Sequence, residues 1–392
     1  MSEWKEKNIT DVCDTISDTY RNGADKVILI NTSDVLEGKV TNHKLVPNQN
    51  LAGQFKKTFR KDDILYSEIR PSNRRYAYVD FEPKDYIAST KLMVLRSKPC
   101  VLPKYLYYLL TNNTTIRNLH TIAVGRSGTF PQITYSELAN IKFLLPSIEE
   151  QEKILAILLD IDDKIAVNRR ICENLEAQAQ ALFKHWFIDF APFKNGKFVE
   201  SELGMIPEGW RVGTLGDIAV ITMGQSPAGS SYNEKGEGVI FYQGRTEFGF
   251  RYPSVRLYTT EPKRFAEPLS TLLSVRAPVG DINVATERCC IGRGLASIKS
   301  NNNCHSYIFY LLQSMKRRFD VYNGEGTVFG SINKDTLNGL KIFIPNNTII
   351  SDFEEIVEEI DKKILESHQE SSRLSALRDT LLPKLMSGEI KV

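Results

Sequence analysis

The chain has 392 residues, 42% of them hydrophobic and 10% aromatic, and its 50 Lys and Arg against 48 Asp and Glu leave a net charge of +2; this excludes a disordered chain and leaves room for two domains with real cores. No run approaches the roughly 20 apolar residues that cross a bilayer, and Met1-Ser-Glu-Trp-Lys-Glu-Lys lacks the apolar stretch of a signal peptide, so a cytoplasmic protein is expected. The cysteines at 13, 100, 172, 289, 290 and 304 form no CxxC pair and the histidines are scattered, which excludes zinc spacings and predicts reduced thiols.

Taken in order, residues 4–146 alternate short apolar runs with turn residues. Val27–Ile30, Ile64–Tyr66 and Lys91–Leu95 read as strands, interrupted by one helix around Leu102–Leu110 and closed by a strand at Ile141–Leu145 before Pro146. The period then changes. Positions 154, 158, 161, 165, 168, 172, 175, 179, 182 and 186 alternate steps of four and three, the seam of a long coiled-coil helix. Ile154, Leu158, Ile161, Ile165, Leu175 and Leu182 form its apolar stripe, and the helix should end before Pro192. Asn195–Gly209 reads as a turn-rich connector. The second half repeats the order, with strands at Ile218–Thr222, Val239–Tyr242, Thr271–Val275, Leu295–Lys299 and Leu340–Ile344, and a helix around Tyr307–Met315. Its long helix carries the stripe Phe353, Val357, Ile360, Ile364, Leu374 and Leu381, ending near Pro383.

These parallels are a duplication. Residues 130–187 align without gaps on 329–386, and 13 of 58 pairs are identical, among them Phe130/Phe329, Lys142/Lys341, Pro146/Pro345, Asp162/Asp361 and Leu182/Leu381. Upstream, Trp4, Ile9 and Asp11 pair with Trp210, Leu215 and Asp217, and Ser67 and Pro71 with Ser274 and Pro278. A period near 200 is too long for a solenoid unit, so each copy is a domain with its own core. Asn168/Ser367 and Cys172/Ser371 place polar or small residues mid-seam, which either fixes register or marks a looser, more exposed stretch. Two helices of about 40 residues, roughly 60 Å each, paired antiparallel, would hold the two globular domains apart about a pseudo-two-fold axis. The fold class is α+β.

The sequence signatures of the expected enzyme chemistries are missing, although single serine, cysteine and histidine residues leave a nucleophile open. No small-polar-Pro-Pro-aromatic tetrapeptide of an amino-methyltransferase occurs, no GxxxxGK[ST] phosphate loop, and no nucleophile triad signature. Asp162-Asp163-Lys164 and Asp361-Lys362-Lys363 match a nuclease triplet but sit on the coils, where solvated or ion-paired side chains are the simpler reading. Gly125–Gly128 and Gly324–Gly326 are weak phosphate loops, better read as turns. What remains is binding. Residues 56–75 hold seven basic residues against three acids, and 243–264 five against two, while 349–370 hold eight acids. Phe55, Phe59, Tyr66, Tyr76 and Tyr78 interleave the first basic stretch; Phe241, Tyr242, Phe248, Phe250, Tyr252 and Tyr258 the second. Arg and Lys supply phosphate contacts, and Arg and Gln can read purine edges, so the two stretches together point to nucleic acid.

Pro207-Glu-Gly-Trp210, Leu215-Gly-Asp217, Gly224-Gln-Ser-Pro227, Leu273–Gly280, Ile332-Asn333 and Leu381–Gly388 resemble the specificity (S) subunits of type I restriction-modification systems, as do Glu149–Ile154 and Ala179–Phe187. The first domain departs from the pattern, lacking Pro-x-Gly before Trp4 and the Gly-x-Ser-Pro motif. The resemblance implies target recognition domains at 1–147 and 208–346, conserved helical regions at 148–191 and 347–392, and a linker at 192–207. It further implies that each domain reads half of a split, asymmetric site in double-stranded DNA, with the helices as a spacer ruler. Two methylation subunits and restriction subunits would dock on the helices; S-adenosylmethionine, ATP and Mg belong to those partners, with no cofactor or metal in this chain. Candidate DNA contacts are Arg60, Arg70, Arg74, Arg75, Arg126 and Gln132 in the first domain and Gln225, Gln243, Arg245, Arg276 and Arg293 in the second. The rival readings are a coiled-coil scaffold with two protein-binding domains and, more remotely, a self-contained nuclease.

Overall fold

The computed structural model describes residues 4–49, 51, 53–126, 129–323 and 330–392. Met1–Glu3, Ser127–Gly128, Gly324–Gly326 and Phe329 lie outside them. The chain divides into two compact units, Met1–Asn168 with Gln369–Val392, and Arg169–His368.

In the first unit, one antiparallel sheet has the order Cys13–Ile16, Leu92–Ser97, Ile64–Ser67, Tyr76–Tyr78. Ile64–Ser67 and Leu92–Leu95 are buried on both faces, which explains their uninterrupted apolar runs. A second sheet, in the order Leu45–Pro47, Lys26–Ile30, Tyr86–Ser89, Phe55–Lys57, contains one parallel pair. Lys5–Asn8 pairs antiparallel with Lys142–Leu145. The second unit repeats this plan: Ala219–Met223, Leu295–Ser300, Thr271–Ser274, Ile282–Val284 in one sheet, a five-stranded sheet around the parallel pair Val239–Tyr242 and Cys289–Ile291, and Arg211–Thr214 against Lys341–Ile344. Asp11 and Asp217, matched in sequence, also do the same job: each accepts the backbone N–H of the residue three before it at 2.9 Å, closing a capping box.

The helices Pro103–Thr111 and His305–Ser314 fall where the apolar runs predict them. A further helix, Asn113–Arg126, follows where the sequence pattern predicts none. Its Asn-Thr-Thr start and Gly125 are poor helix formers; burial of Ile116, Leu119 and Ala123 against the domain core overrides that preference.

The first long helix is Ile148–Phe183, continued by a π-turn to Ile188 ahead of Pro192. The second, Asn347–Ser387, runs through Pro383 instead of ending there. So late in the helix proline removes one hydrogen bond, and Leu382, Leu385 and Met386, all buried, hold the last turn in place. In the first unit Arg378 pairs with Asp162 at 2.8 Å, and Lys164 and Asn168 reach Glu370 at 3.2 and 2.7 Å, so the helix segments run antiparallel. In the second, Cys172 Sγ lies 3.6 Å from the Ile364 carbonyl and the Phe183 ring 5.7 Å from Phe353. Ile154, Leu158, Ile161, Phe353, Val357 and Ile364 are buried; Ile165, Leu175, Leu182, Ile360, Leu374 and Leu381 are half-buried. Asn168 is 1% exposed. With its amide donated to Glu370, this seam position is a satisfied polar layer and not an exposed gap.

Candidate nucleic-acid interface

In the second unit four loops meet at one end of the sheets. Gln225 N–H donates to the Ile291 carbonyl at 3.0 Å, Gly292 N–H to Tyr242 at 2.8 Å, Val275 N–H to Gly294 at 2.9 Å, and Arg293 N–H to Ser226 Oγ at 3.2 Å. These bonds bring Gln225, Gln243, Arg245, Arg276 and Arg293 onto neighbouring loops, and all five side chains are exposed. The approach is so close that a Cβ on Gly224 would lie 2.1 Å from the Gly292 carbonyl oxygen, and one on Gly292 2.7 Å from that of Gln243. Backbone faces backbone there, so nothing flexible can give way. G224A is therefore expected to lower stability by about 1–3 kcal/mol by forcing the loops apart, read as a shift in the urea midpoint; an unchanged midpoint would mean that the loops are not held in this contact.

The first unit gathers a comparable group. Arg70 N–H donates to the Pro131 carbonyl at 3.0 Å and Ile133 N–H to Glu68 at 2.8 Å, seating Gln132 beside Ile69. The bridge between Ile69 and Gln132 has its duplicate in Arg276 with Ser331. Lys91, which sequence reasoning missed, joins the group: its Nζ lies 3.3 Å from Gln132 Oε1 and 3.5 Å from Glu68. Lys57 Nζ donates to the carbonyls of Thr90 and Leu92 at 3.1 and 2.7 Å, and burial lowers its pKa. Arg60 does not join. It precedes Ile64–Ser67, whereas Arg70 follows it, so that strand separates them.

Partners sort the candidates further. Among the described residues, the side chains of Arg60, Arg70, Gln225, Gln243, Arg276 and Arg293 have no intramolecular hydrogen bond or ion pair and are open to a ligand. The others are held: Arg74 by Asn113 Oδ1 at 2.6 Å, Arg75 by the Ser33 carbonyl at 2.9 Å, Arg126 by Glu137 at 3.1 Å, Gln132 by Lys91, and Arg245 by Asp281. Arg74 lines a polar cavity of about 490 Å³ with Asp162 and Arg378.

The interleaved aromatics are not a stacking surface. Phe59, Tyr66, Tyr76, Phe241, Tyr242 and Tyr252 are core residues, and of the eleven only Phe250, at 58%, is widely exposed. Most of them fill the cores, Tyr66, Phe241 and Tyr242 from strands and Phe59 and Tyr252 from loops that turn inward. The acidic triplets are likewise structural. Asp162 accepts the Tyr108 hydroxyl and Asp361 that of Tyr310 at 2.9 Å, again a duplicated contact, while Lys362 and Lys363 pair with glutamates of their own helix. No group of three metal-ligating side chains occurs among the described residues, and no described helix is long and apolar enough to cross a membrane.

A family model described as the type I restriction modification DNA specificity domain matches residues 1–177 and 207–374. The chain is 31% identical over 468 aligned positions to the HindI specificity subunit of Haemophilus influenzae, covering all of both chains. It is 32% identical over 403 positions to a putative MjaX specificity subunit of Methanocaldococcus jannaschii, covering all of this chain and 94% of that one. The solved type I restriction-modification S subunit from M. genitalium has the same fold, with a TM-score of 0.53 at 18% identity over 98% of this chain and 96% of its own.

Proposed function

Because the chain belongs to the family of type I restriction-modification specificity subunits, we propose that it reads a bipartite, asymmetric site in double-stranded DNA, one recognition domain per half-site. The observation that carries this reading is the loop cluster of the second unit, where Gln225, Gln243, Arg276 and Arg293 present unpaired heads from a rigid support. Exposed glutamine and arginine heads are the groups that pair bidentately with adenine and guanine edges. Arg70, Lys91 and Gln132 are the corresponding group of the first domain. R293A is expected to weaken binding by about 1–3 kcal/mol and to relax the preference at one base position, whereas removal of a phosphate contact flattens the salt dependence without changing the preference. Fluorescence anisotropy on matched and single-mismatch duplexes separates these outcomes; no change in either quantity would remove Arg293 from the interface.

The paired helices act in this proposal as the ruler that sets the spacing of the half-sites, since half-sites one turn apart are separated by roughly 34 Å and only a stiff connection can engage both. The chain itself is non-catalytic and works in the cytoplasm. S-adenosylmethionine chemistry belongs to two methylation subunits, and ATP and Mg to restriction subunits. Grooves at duplicated positions support the two-fold docking: Phe187, Ile188, Leu311 and Ile342 line one of about 220 Å³, and Met386, Ser387, Leu109 and Phe143 line its counterpart of about 430 Å³.

A further inference from the structure

Arg251 lies in a basic stretch yet cannot touch DNA. It is 3% exposed, on the loop between the strands Val239–Tyr242 and Leu257–Thr259. At its start this loop presents Gln243 and Arg245 to the loop cluster, with Arg245 paired to Asp281. Gly249 and Asn283 exchange hydrogen bonds at 3.0 and 3.1 Å, which ties the next turn to Ile282–Val284. The loop then plunges. Arg251 Nη1 donates to Glu176 Oε2 at 2.6 Å and to the Tyr310 hydroxyl at 2.9 Å, Nη2 lies 2.7 Å from Asp361 Oδ2, and the guanidinium stacks 3.6 Å from the centre of the Phe309 ring. Glu176 belongs to the first long helix and Asp361 to the second, so a single side chain of a DNA-reading loop is fastened to both.

Among the described residues the first unit shows no such connection. Its matched aspartate, Asp162, is bound by Arg378 from the second long helix itself, with both side chains 30% exposed, and the position matching Glu176 is Ser375. The cation stacked on aromatic rings there is Lys104, over Tyr78 and Tyr107, and it comes from a domain helix and not from a reading loop. Both aspartates keep the duplicated tyrosine contact, but the two halves draw the cation from different sources.

The geometry points to Arg251 as a positioning residue that couples the long helices to base reading by the second domain alone. The inference rests on the proposed DNA reading. Its consequence is an asymmetry: loosening the fastening disturbs the loop bearing Gln243 and Arg245 but leaves the first domain untouched. A general loss of folding would instead lower methylation at every site equally and leave the motif unchanged.

The test uses the full chain assembled with its methylation subunits, with N6-methyladenine mapped genome-wide for R251K, which keeps the charge but not the forked geometry, and for E176Q, which changes the fastening from the helix side. Both variants are expected to reduce discrimination against mismatches about fivefold, the lower end of the usual cost of one mismatched pair, in one half of the motif and not in the other. Unchanged discrimination in both halves, or relaxation of both, would overturn the inference. Loss of any chain-dependent motif in the unsubstituted protein would instead overturn the DNA reading itself.

Discussion

Replacing Phe353 by alanine is expected to destabilise the second unit by about 3–5 kcal/mol, the range for emptying a fully packed aromatic site. Phe353 is 0% exposed, and its ring lies 5.1 Å from that of Phe187, 5.7 Å from Phe183, 6.0 Å from Trp186 and 6.4 Å from Tyr307. Those partners come from the first long helix and its π-turn and from the domain helix His305–Ser314, so the cavity would open where three elements meet. Rigid helices on each side cannot collapse into it. Urea unfolding of the full chain checks this; a cost under about 1 kcal/mol would mean that the aromatic cluster repacks freely.

R251A is expected to cost a similar amount, about 3–5 kcal/mol, because it strands Glu176 and Asp361 in a buried site without their cation. The loss has a pH signature. Burial already pushes the Asp361 carboxyl above its ordinary range, with Arg251 pulling it back down. Without Arg251 that opposition is gone and the folded-state value rises further above the unfolded one. A carboxyl raised in the folded state binds more protons there than in the unfolded chain, so its cost is absent below the unfolded value, near 3.9 for an aspartate, and grows as pH rises through the folded one. The deficit of R251A relative to the unsubstituted protein should therefore shrink between pH 7 and pH 5. An equal deficit at both would show that the carboxylates find water or another partner.

Much of the architecture is legible in the residues because it is written twice. The period-3.5 stripes mark both long helices, and the aligned residues Asp11 and Asp217, and Asp162 and Asp361, make the same kind of contact each in its own unit. Local pattern fails where a distant partner decides. Arg251 looks like one basic residue among five, and nothing in its neighbourhood announces Glu176, 75 residues earlier, as its partner. The interleaved tyrosines and phenylalanines read as a binding face, but their spacing does not say that strands covered on both faces and inward-turning loops bury most of them. Helix Asn113–Arg126 and the turn beyond Pro383 form against local preference because burial supplies what propensity withholds. In the candidate interface, the exposed arginines and glutamines are visible in the residues, but which of them are already occupied, as Arg245 is by Asp281, depends on loops brought together from four parts of the chain.

In the proposed function, this chain alone chooses the DNA sequence on which the methylation subunits act. Co-expressing it with its methylation subunit in an unmethylated host, and mapping N6-methyladenine by long-read sequencing with and without it, tests that most directly. A bipartite motif with two specified halves and a fixed spacer, present only when the chain is present, is the predicted result. Methylation that keeps its motif in the absence of the chain, or no motif from a complex shown to be folded and assembled, would contradict the account and favour a scaffold that binds proteins.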